Sequence, residues 1–147
     1  MGLKVAWDID GTLYFNVLEL DFFGCVDRWG GREKVLPFNQ TNPQVRLEEV
    51  KNVLTFRPEW MRKMTLLELV NHGICSDVNL IMNPSERDDR PHESARFKAD
   101  TLNEREFDVY VDNDDVLRRN MQPYTTAKCV SVEEYYYAGA QDIRMLI

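Results

Sequence analysis

At 147 residues, with 44% hydrophobic and 11% aromatic side chains spread along its length, the chain can bury one core and is too apolar for a disordered segment. Its 25 acidic residues against 18 basic ones give a net charge of -7, which opposes general adhesion to a polyanion such as nucleic acid. No window is apolar enough to span a bilayer, and the charges in MGLKVAWDID fall where a signal peptide needs its apolar stretch, so a cytoplasmic protein with no membrane partner is expected.

The first apolar run, LKVAWDI, has the length of a strand buried on both faces and leads into Asp8-Ile9-Asp10-Gly11-Thr12. Side chains two apart on an extended strand point the same way, so Asp8 and Asp10 share one side. Carboxylates so close repel each other, which calls for a divalent cation held by oxygen ligands or for a proton on one of the pair. Residues 14–50 break the pattern. YFNVLELDFFGCVDRWGGREKVLPF, around Gly30-Gly31, reads as a β-hairpin flap and PQVRLEEVKN as a short helix, together an insertion over the sheet rim.

NVLTF is the second strand of the core, followed by a helix over PEWMRKMTLLELVNHG, with Pro58 near its first turn and Gly73 as its stop. VNLIM is the third strand. Beyond it Arg87, Arg90, Arg96 and Lys98 form either one positive patch or a solvated face balanced by Glu86, Asp88, Asp89 and Glu93. HESARFKADTLNEREF is helical, FDVYV is the fourth strand, DDVLRRNMQPY a helix closed before Pro123, and AKCVSV the fifth strand. VEEYYYAGAQDIRMLI follows as a short helix or an irregular segment whose three tyrosines are read as packing residues. Cys25, Cys75 and Cys129 lack zinc-ligand spacing and are read as reduced, mostly buried thiols.

Strand and helix alternating in this way predict an α/β fold: a Rossmann-like three-layer sandwich with a mostly parallel five-stranded sheet, one domain over residues 1–147 with 14–50 as a minimal cap or flap insertion. Ligands in such sheets bind at the carboxyl ends of the strands, which puts Asp8, Asp10, Thr55 and Asp112 at one rim, each closing its apolar run.

The stretch DIDGTL after a hydrophobic strand resembles the first motif of the haloacid dehalogenase-like phosphohydrolase superfamily, and candidates for the later motifs follow in order over most of the chain outside 14–50. The resemblance implies that Asp8 attacks phosphorus and becomes an aspartyl-phosphate. Asp10 would protonate the leaving alcohol and later activate water, and Thr12 of the same motif falls with substrate binding. A carboxylate is a weak nucleophile toward an anionic phosphoryl group unless a metal and nearby cations quench the repulsion. Mg2+ is the implied cofactor, held by the Asp8 carboxylate, the Asp10 backbone carbonyl and one further carboxylate, with water completing its octahedron.

In NVLTFRPE, Thr55 corresponds to the second motif's hydroxyl, with Phe56 where a small residue is more usual; Arg57 serves substrate binding or a rim salt bridge. Lys98 corresponds to the third motif's lysine, with Lys63 as a competitor too early in the chain. In the acidic cluster FDVYVDNDD, Asp112 is the metal ligand; Asn113 stands where a second Asp is frequent and ligates or orients a water, unless Asp115 takes that outer role. Asp114 and Asp115 also fit a helix N-terminus.

MNPSERDDRPHESARFK followed by FDVYVDN is similar to the phosphatase domain of phage polynucleotide kinase-phosphatases, which act on a nucleic-acid 3'-phosphate; a phage-encoded protein would work in the host cytoplasm. Arg87 then corresponds to a substrate-binding arginine. Ser94 replaces the family's aspartate, and no GxxxxGK(S/T) phosphate loop of a kinase half occurs. The expected activity is a Mg-dependent phosphatase acting on a nucleotide or a nucleic-acid 3'-terminal phosphate. The alternatives are a small-molecule phosphatase, on a nucleoside monophosphate or sugar phosphate, and a phospho-ligand binder that retains the fold without turnover. Oligomeric state is not readable from these residues.

Overall fold

Alternation along five short strands sets the layers. The computed structural model describes residues 2–16, 39–84 and 91–137. Its main sheet comprises Val5–Trp7 (β1), Asn52–Pro58 (β4), Asn79–Asn83 (β5), Val109–Val111 (β6) and Lys128–Val130 (β7), all parallel, in the order β5-β4-β1-β6-β7. Trp7, Val53, Leu80, Val109, Val111 and Val130 bury on one face, against Met64 and Leu69 of helix Arg62–Asn71 (α1). Their strand neighbours Ala6, Leu54, Ile81, Tyr110 and Cys129 bury on the other, against Ala95 and Leu102 of Pro91–Glu104 (α2) and Met121 of Asp115–Met121 (α3). The result is the Rossmann-like three-layer sandwich expected for an α/β chain of this pattern.

The chain enters the sheet at its centre, moves outward through β4 and β5, then returns past β1 to β6 and β7. The strands on either side of β1 therefore connect in opposite directions, and the crevice at the carboxyl end of β1 is the topological switch point where ligands of such sheets bind. β1 and β6 are in direct register, Val5 opposite Val109 and Trp7 opposite Val111, and the Asp8 and Asp112 amides continue the ladder to Val111 and Val130 carbonyls. Asp8 and Asp112 thus leave their strands side by side.

A second, two-stranded antiparallel sheet pairs Tyr14–Asn16 (β2) with Asn39–Thr41 (β3). It forms the base of the expected hairpin; the Gly30-Gly31 turn lies outside the described residues, as do Cys25, Arg87 and Arg90. PQVRLEEVKN gives one 3-10 turn, Leu47–Glu49, in place of a helix. Residues 132–137 are helical, and Tyr135 and Tyr136 pack on Trp7 with ring centroids 5.1 and 6.2 Å away, while Tyr137 is exposed. Gly73 stops α1 with a φ of 101°, a backbone state that L side chains resist.

Other expectations are corrected. Thr55 does not close its strand: β4 continues to Pro58, whose pairing with Asn83 resumes after an irregularity beyond Leu54. Cys129 is buried but Cys75 is exposed. Arg96 and Lys98 do not share a patch, because on a helix residues two apart diverge; Arg96 lies over the Tyr124 ring on the outer surface, and Lys98 points into the protein. Among the described residues no helix is long and apolar enough to cross a membrane.

Candidate active site

The loop after β1 is a tight turn in which the Thr12 and Leu13 amides both return to the Ile9 carbonyl and Gly11 adopts a φ of 78°. This turn brings Thr12 back beneath Asp8. The Thr12 hydroxyl donates to Asp8 Oδ2 at 3.1 Å and accepts from the Asn113 amide at 3.0 Å, and the side chain is fully buried. The Thr12 hydroxyl, expected to serve substrate binding, braces Asp8 and joins the β1 loop to the β6 loop.

Lys98, on the inner face of α2, donates to Asp8 Oδ1 at 2.9 Å, to the Tyr110 hydroxyl at 2.6 Å and to Asp112 Oδ2 at 3.5 Å. Tyr110 in turn donates to Asp112 Oδ2 at 2.8 Å, and Asp112 Oδ1 accepts from the Asp114 amide at 2.8 Å. Asp8, Lys98, Tyr110 and Asp112 are all buried, so two carboxyl groups share one ammonium, with a net charge of -1 inside the protein when both are ionised and zero when Asp8 holds a proton. Burial, then the neighbouring Asp112 carboxylate, push the Asp8 carboxyl up to about 7, although Lys98 opposes them. Burial acts to lower the Lys98 ammonium, but Asp8 and Asp112 outweigh it and hold Lys98 charged. The Tyr110 phenol is held neutral by burial and by the same two carboxylates.

Asp10 belongs to a neighbouring network. Arg57 grips it with a fork, Nη2 to Oδ1 at 2.7 Å and Nε to Oδ2 at 3.1 Å; the guanidinium is buried while the Asp10 side chain is 42% exposed. The same Arg57 reaches Thr65 Oγ1 at 3.2 Å and Glu68 Oε1 at 3.2 Å, and Tyr14 donates to that Glu68 oxygen at 2.6 Å. Of the two roles open to Arg57, the salt bridge is the one found, as a buried bridge rather than a rim one. At 1% exposure the guanidinium is held inside the protein by these partners. Thr55 is buried with its hydroxyl accepting from the Arg57 amide at 3.1 Å, within its own strand.

The acidic cluster divides. Asp112 turns inward with 1% exposure, Asp114 caps α3 by accepting from the Leu117 amide at 3.0 Å, and Asp115 is exposed and paired with Arg118 and Arg119. Both Asp114 and Asp115 are thus helix-terminus residues. The Asn113 amide is committed to backbone: Nδ2 donates to the Gly11 carbonyl at 3.2 Å and Oδ1 accepts from the Val132 amide at 3.0 Å. It locks the loops around Asp8 and Asp112 rather than turning its oxygen toward a cation. Lys63, the competing lysine, is exposed on α1.

Tyr110, Glu68 and Tyr14 were not singled out from sequence. Tyr110 had a usable signal, because it lies two residues before Asp112 on a strand and must share its face. Glu68 had another, since it falls on the buried stripe Met64, Thr65, Glu68, Leu69 of α1, where an ionised group needs a partner.

Among the described residues no three or more His, Cys, Asp or Glu side chains gather to hold a metal ion. A cation here would draw on two carboxylates, Asp8 and Asp112, and on a loop carbonyl such as that of Asp10, with water for the rest. Mg2+ accepts such a set because it prefers oxygen and keeps several waters. The charge of -1 on the ionised cluster fits it, as a cation would offset the burial and the Asp112 repulsion that raise Asp8. Neither family models nor curated proteins give a match to this chain.

Proposed function

We propose that the chain is a Mg-dependent phosphatase of the haloacid dehalogenase-like type that works through an aspartyl-phosphate on Asp8, with a nucleotide or a nucleic-acid 3'-terminal phosphate as substrate. One observation carries the reading: Asp8, Lys98 and Asp112, 104 positions apart at the extremes, meet in one buried hydrogen-bonded cluster at the carboxyl rim of a parallel sheet. With both carboxylates ionised, as a nucleophile and a metal ligand must be, the cluster carries a net buried charge, which proteins generally avoid unless a ligand or a function compensates it.

Mg2+, when bound, would supply positive charge to offset the repulsion between carboxylate and phosphoryl group. The chain's own residues do the rest. Asp8 attacks phosphorus through one carboxylate oxygen, held in place by Thr12 and Lys98. The Lys98 ammonium stays charged and screens the equatorial oxygens as negative charge builds up. Asp10, the exposed member of the acid pair, delivers the proton to the leaving oxygen and then takes one from the water that hydrolyses the acyl-phosphate. Thr55 and amides beyond β4 are the proposed contacts for a phosphoryl oxygen. The exposed Asp10 edge favours a site open to a large substrate over one sealed around a small one.

The test is phosphate release from a panel of 3'-phosphorylated oligonucleotides, nucleoside monophosphates and sugar phosphates, with Mg2+ or EDTA. Mg-dependent turnover of the oligonucleotides supports the full reading. Turnover confined to the small phosphates replaces the substrate, and absence of turnover across the panel removes the enzyme.

A further inference from the structure

Arg57 is a buried cation between two carboxylates, the exposed Asp10 and the fully buried Glu68. Its fork has fixed geometry, so its orientation follows from its partners: Asp10 on Nε and Nη2, Thr65 on Nη1, Glu68 on Nη2. Glu68 is itself oriented by the Tyr14 hydroxyl, at 2.6 Å on the same oxygen that receives Arg57. Tyr14 is fixed in turn. Its ring stacks on His72 with centroids 4.3 Å apart, and His72 Nδ1 lies 2.6 Å from Thr41 Oγ1 on the partner strand of the β2–β3 ribbon. A continuous chain of contacts thus runs from the ribbon, through α1 and β4, to the back of Asp10.

A carboxyl group has lone-pair sites on both oxygens, and the Arg57 fork takes one on each, leaving the exposed edge of Asp10 for its proton and the leaving group. We infer that Tyr14 and Glu68 are positioning residues for Asp10, fixing it through Arg57 at the angle from which it protonates the leaving oxygen. This rests on the phosphatase reading with Asp10 as the acid. In that step a bond forms between an Asp8 oxygen and phosphorus, and the bond from phosphorus to the leaving oxygen breaks with its electron pair going to that oxygen. The Asp10 proton moves to the same oxygen. The anion left on Asp10 is the species that the waiting guanidinium binds best.

Because the two residues act through a general acid, their loss has a signature that a structural role lacks. An alcohol leaves poorly without a proton, whereas 4-nitrophenolate leaves as a stable anion. Tyr14→Phe keeps the ring on His72 and removes only the hydroxyl. Steady-state rates are measured with Mg2+ on glycerol 2-phosphate and on 4-nitrophenyl phosphate for wild type, Tyr14→Phe, Glu68→Gln and Asp10→Asn. We expect Tyr14→Phe and Glu68→Gln to lower kcat on the alkyl ester by about tenfold or more, with KM held, and on the aryl ester by less than about twofold. Asp10→Asn should show the same preference, more strongly. Equal losses on both esters, or no loss on either, overturn the inference while leaving the phosphatase reading intact. Failure of both Tyr14→Phe and Glu68→Gln to fold, read by circular dichroism, also overturns it, by assigning the chain of contacts to stability alone. Where the wild type turns over only 3'-phosphorylated oligonucleotides, the loss of kcat is read on those alkyl esters. A wild type that hydrolyses neither ester nor any member of the phosphate panel removes the reading beneath it, and the inference with it.

Discussion

Replacing Asp8 by Asn should stabilise the metal-free protein while abolishing turnover. Ionised Asp8 is buried beside Asp112, and these two effects lift its carboxyl from 3.8 to about 7 against the pull of Lys98. At 1.36 kcal/mol per pH unit, holding Asp8 ionised at pH 8 costs the fold about 4 kcal/mol. Asparagine keeps the shape and drops the charge, but it forfeits the charge-assisted bond from Lys98, so a net gain of about 1–4 kcal/mol is expected, or about 3–12 °C in Tm for a chain of this size. The pH dependence has a definite sign. Between the unfolded value and about 7 the folded state holds a proton that the unfolded chain lacks, so wild-type stability falls as pH rises through that window and levels off above it. Thermal melts in EDTA at pH 5 to 8 measure this, and Asp8→Asn should lack that component of the slope. Magnesium should raise the wild-type Tm at pH 8 and leave the variant nearly unmoved. An Asp8→Asn protein that melts below wild type at pH 8 in EDTA would refute the reasoning, because Asp8 would then be a net stabilising partner of Lys98.

Lys98→Met removes the ammonium that both carboxylates share, and should destabilise the fold by about 3–5 kcal/mol at pH 8, with partial recovery at pH 5, as read by urea unfolding. Arg57→Met leaves the buried Glu68 without its guanidinium and should cost a similar amount, about 3–5 kcal/mol, with little recovery on adding Mg2+. Asn113→Ala removes two hydrogen bonds to loop backbone and should lower stability by about 1–3 kcal/mol, while the Mg2+ concentration for half-maximal rate changes by less than about threefold. A much larger shift in that concentration would restore Asn113 as a ligand.

The sheet was legible because its strands are buried on both faces and punctuated by polar turns, so continuous apolar runs such as NVLTF and FDVYV marked them. Chain-order alternation with helices then predicted parallel pairing. Within the site, Asp8 and Asp112 were legible as strand-terminal carboxylates, whereas Lys98 was singled out only through the motif resemblance, and its inward direction follows from contacts with Asp8 and Tyr110 that no local pattern specifies. Thr55 misled because the run looks finished at Phe56, while backbone pairing carries β4 on to Pro58 through residues whose side chains do not advertise a strand. Arg57, Thr12 and Asn113 were assigned outward roles because their residue types bind phosphate or metal. Their inward contacts depend on long-range partners, Glu68, Asp8 and Val132, that no local pattern specifies.

The central claim is that Asp8 carries the phosphoryl group during turnover. Acid-quenched samples taken in the first turnovers with a 3'-phosphorylated oligonucleotide and Mg2+, digested and mapped by mass spectrometry, test this directly. The account predicts one phosphoryl group on the peptide containing Asp8, absent in EDTA and absent from Asp8→Asn. Phosphate release with Asp8 unmodified throughout, or release undiminished in Asp8→Asn, would contradict it.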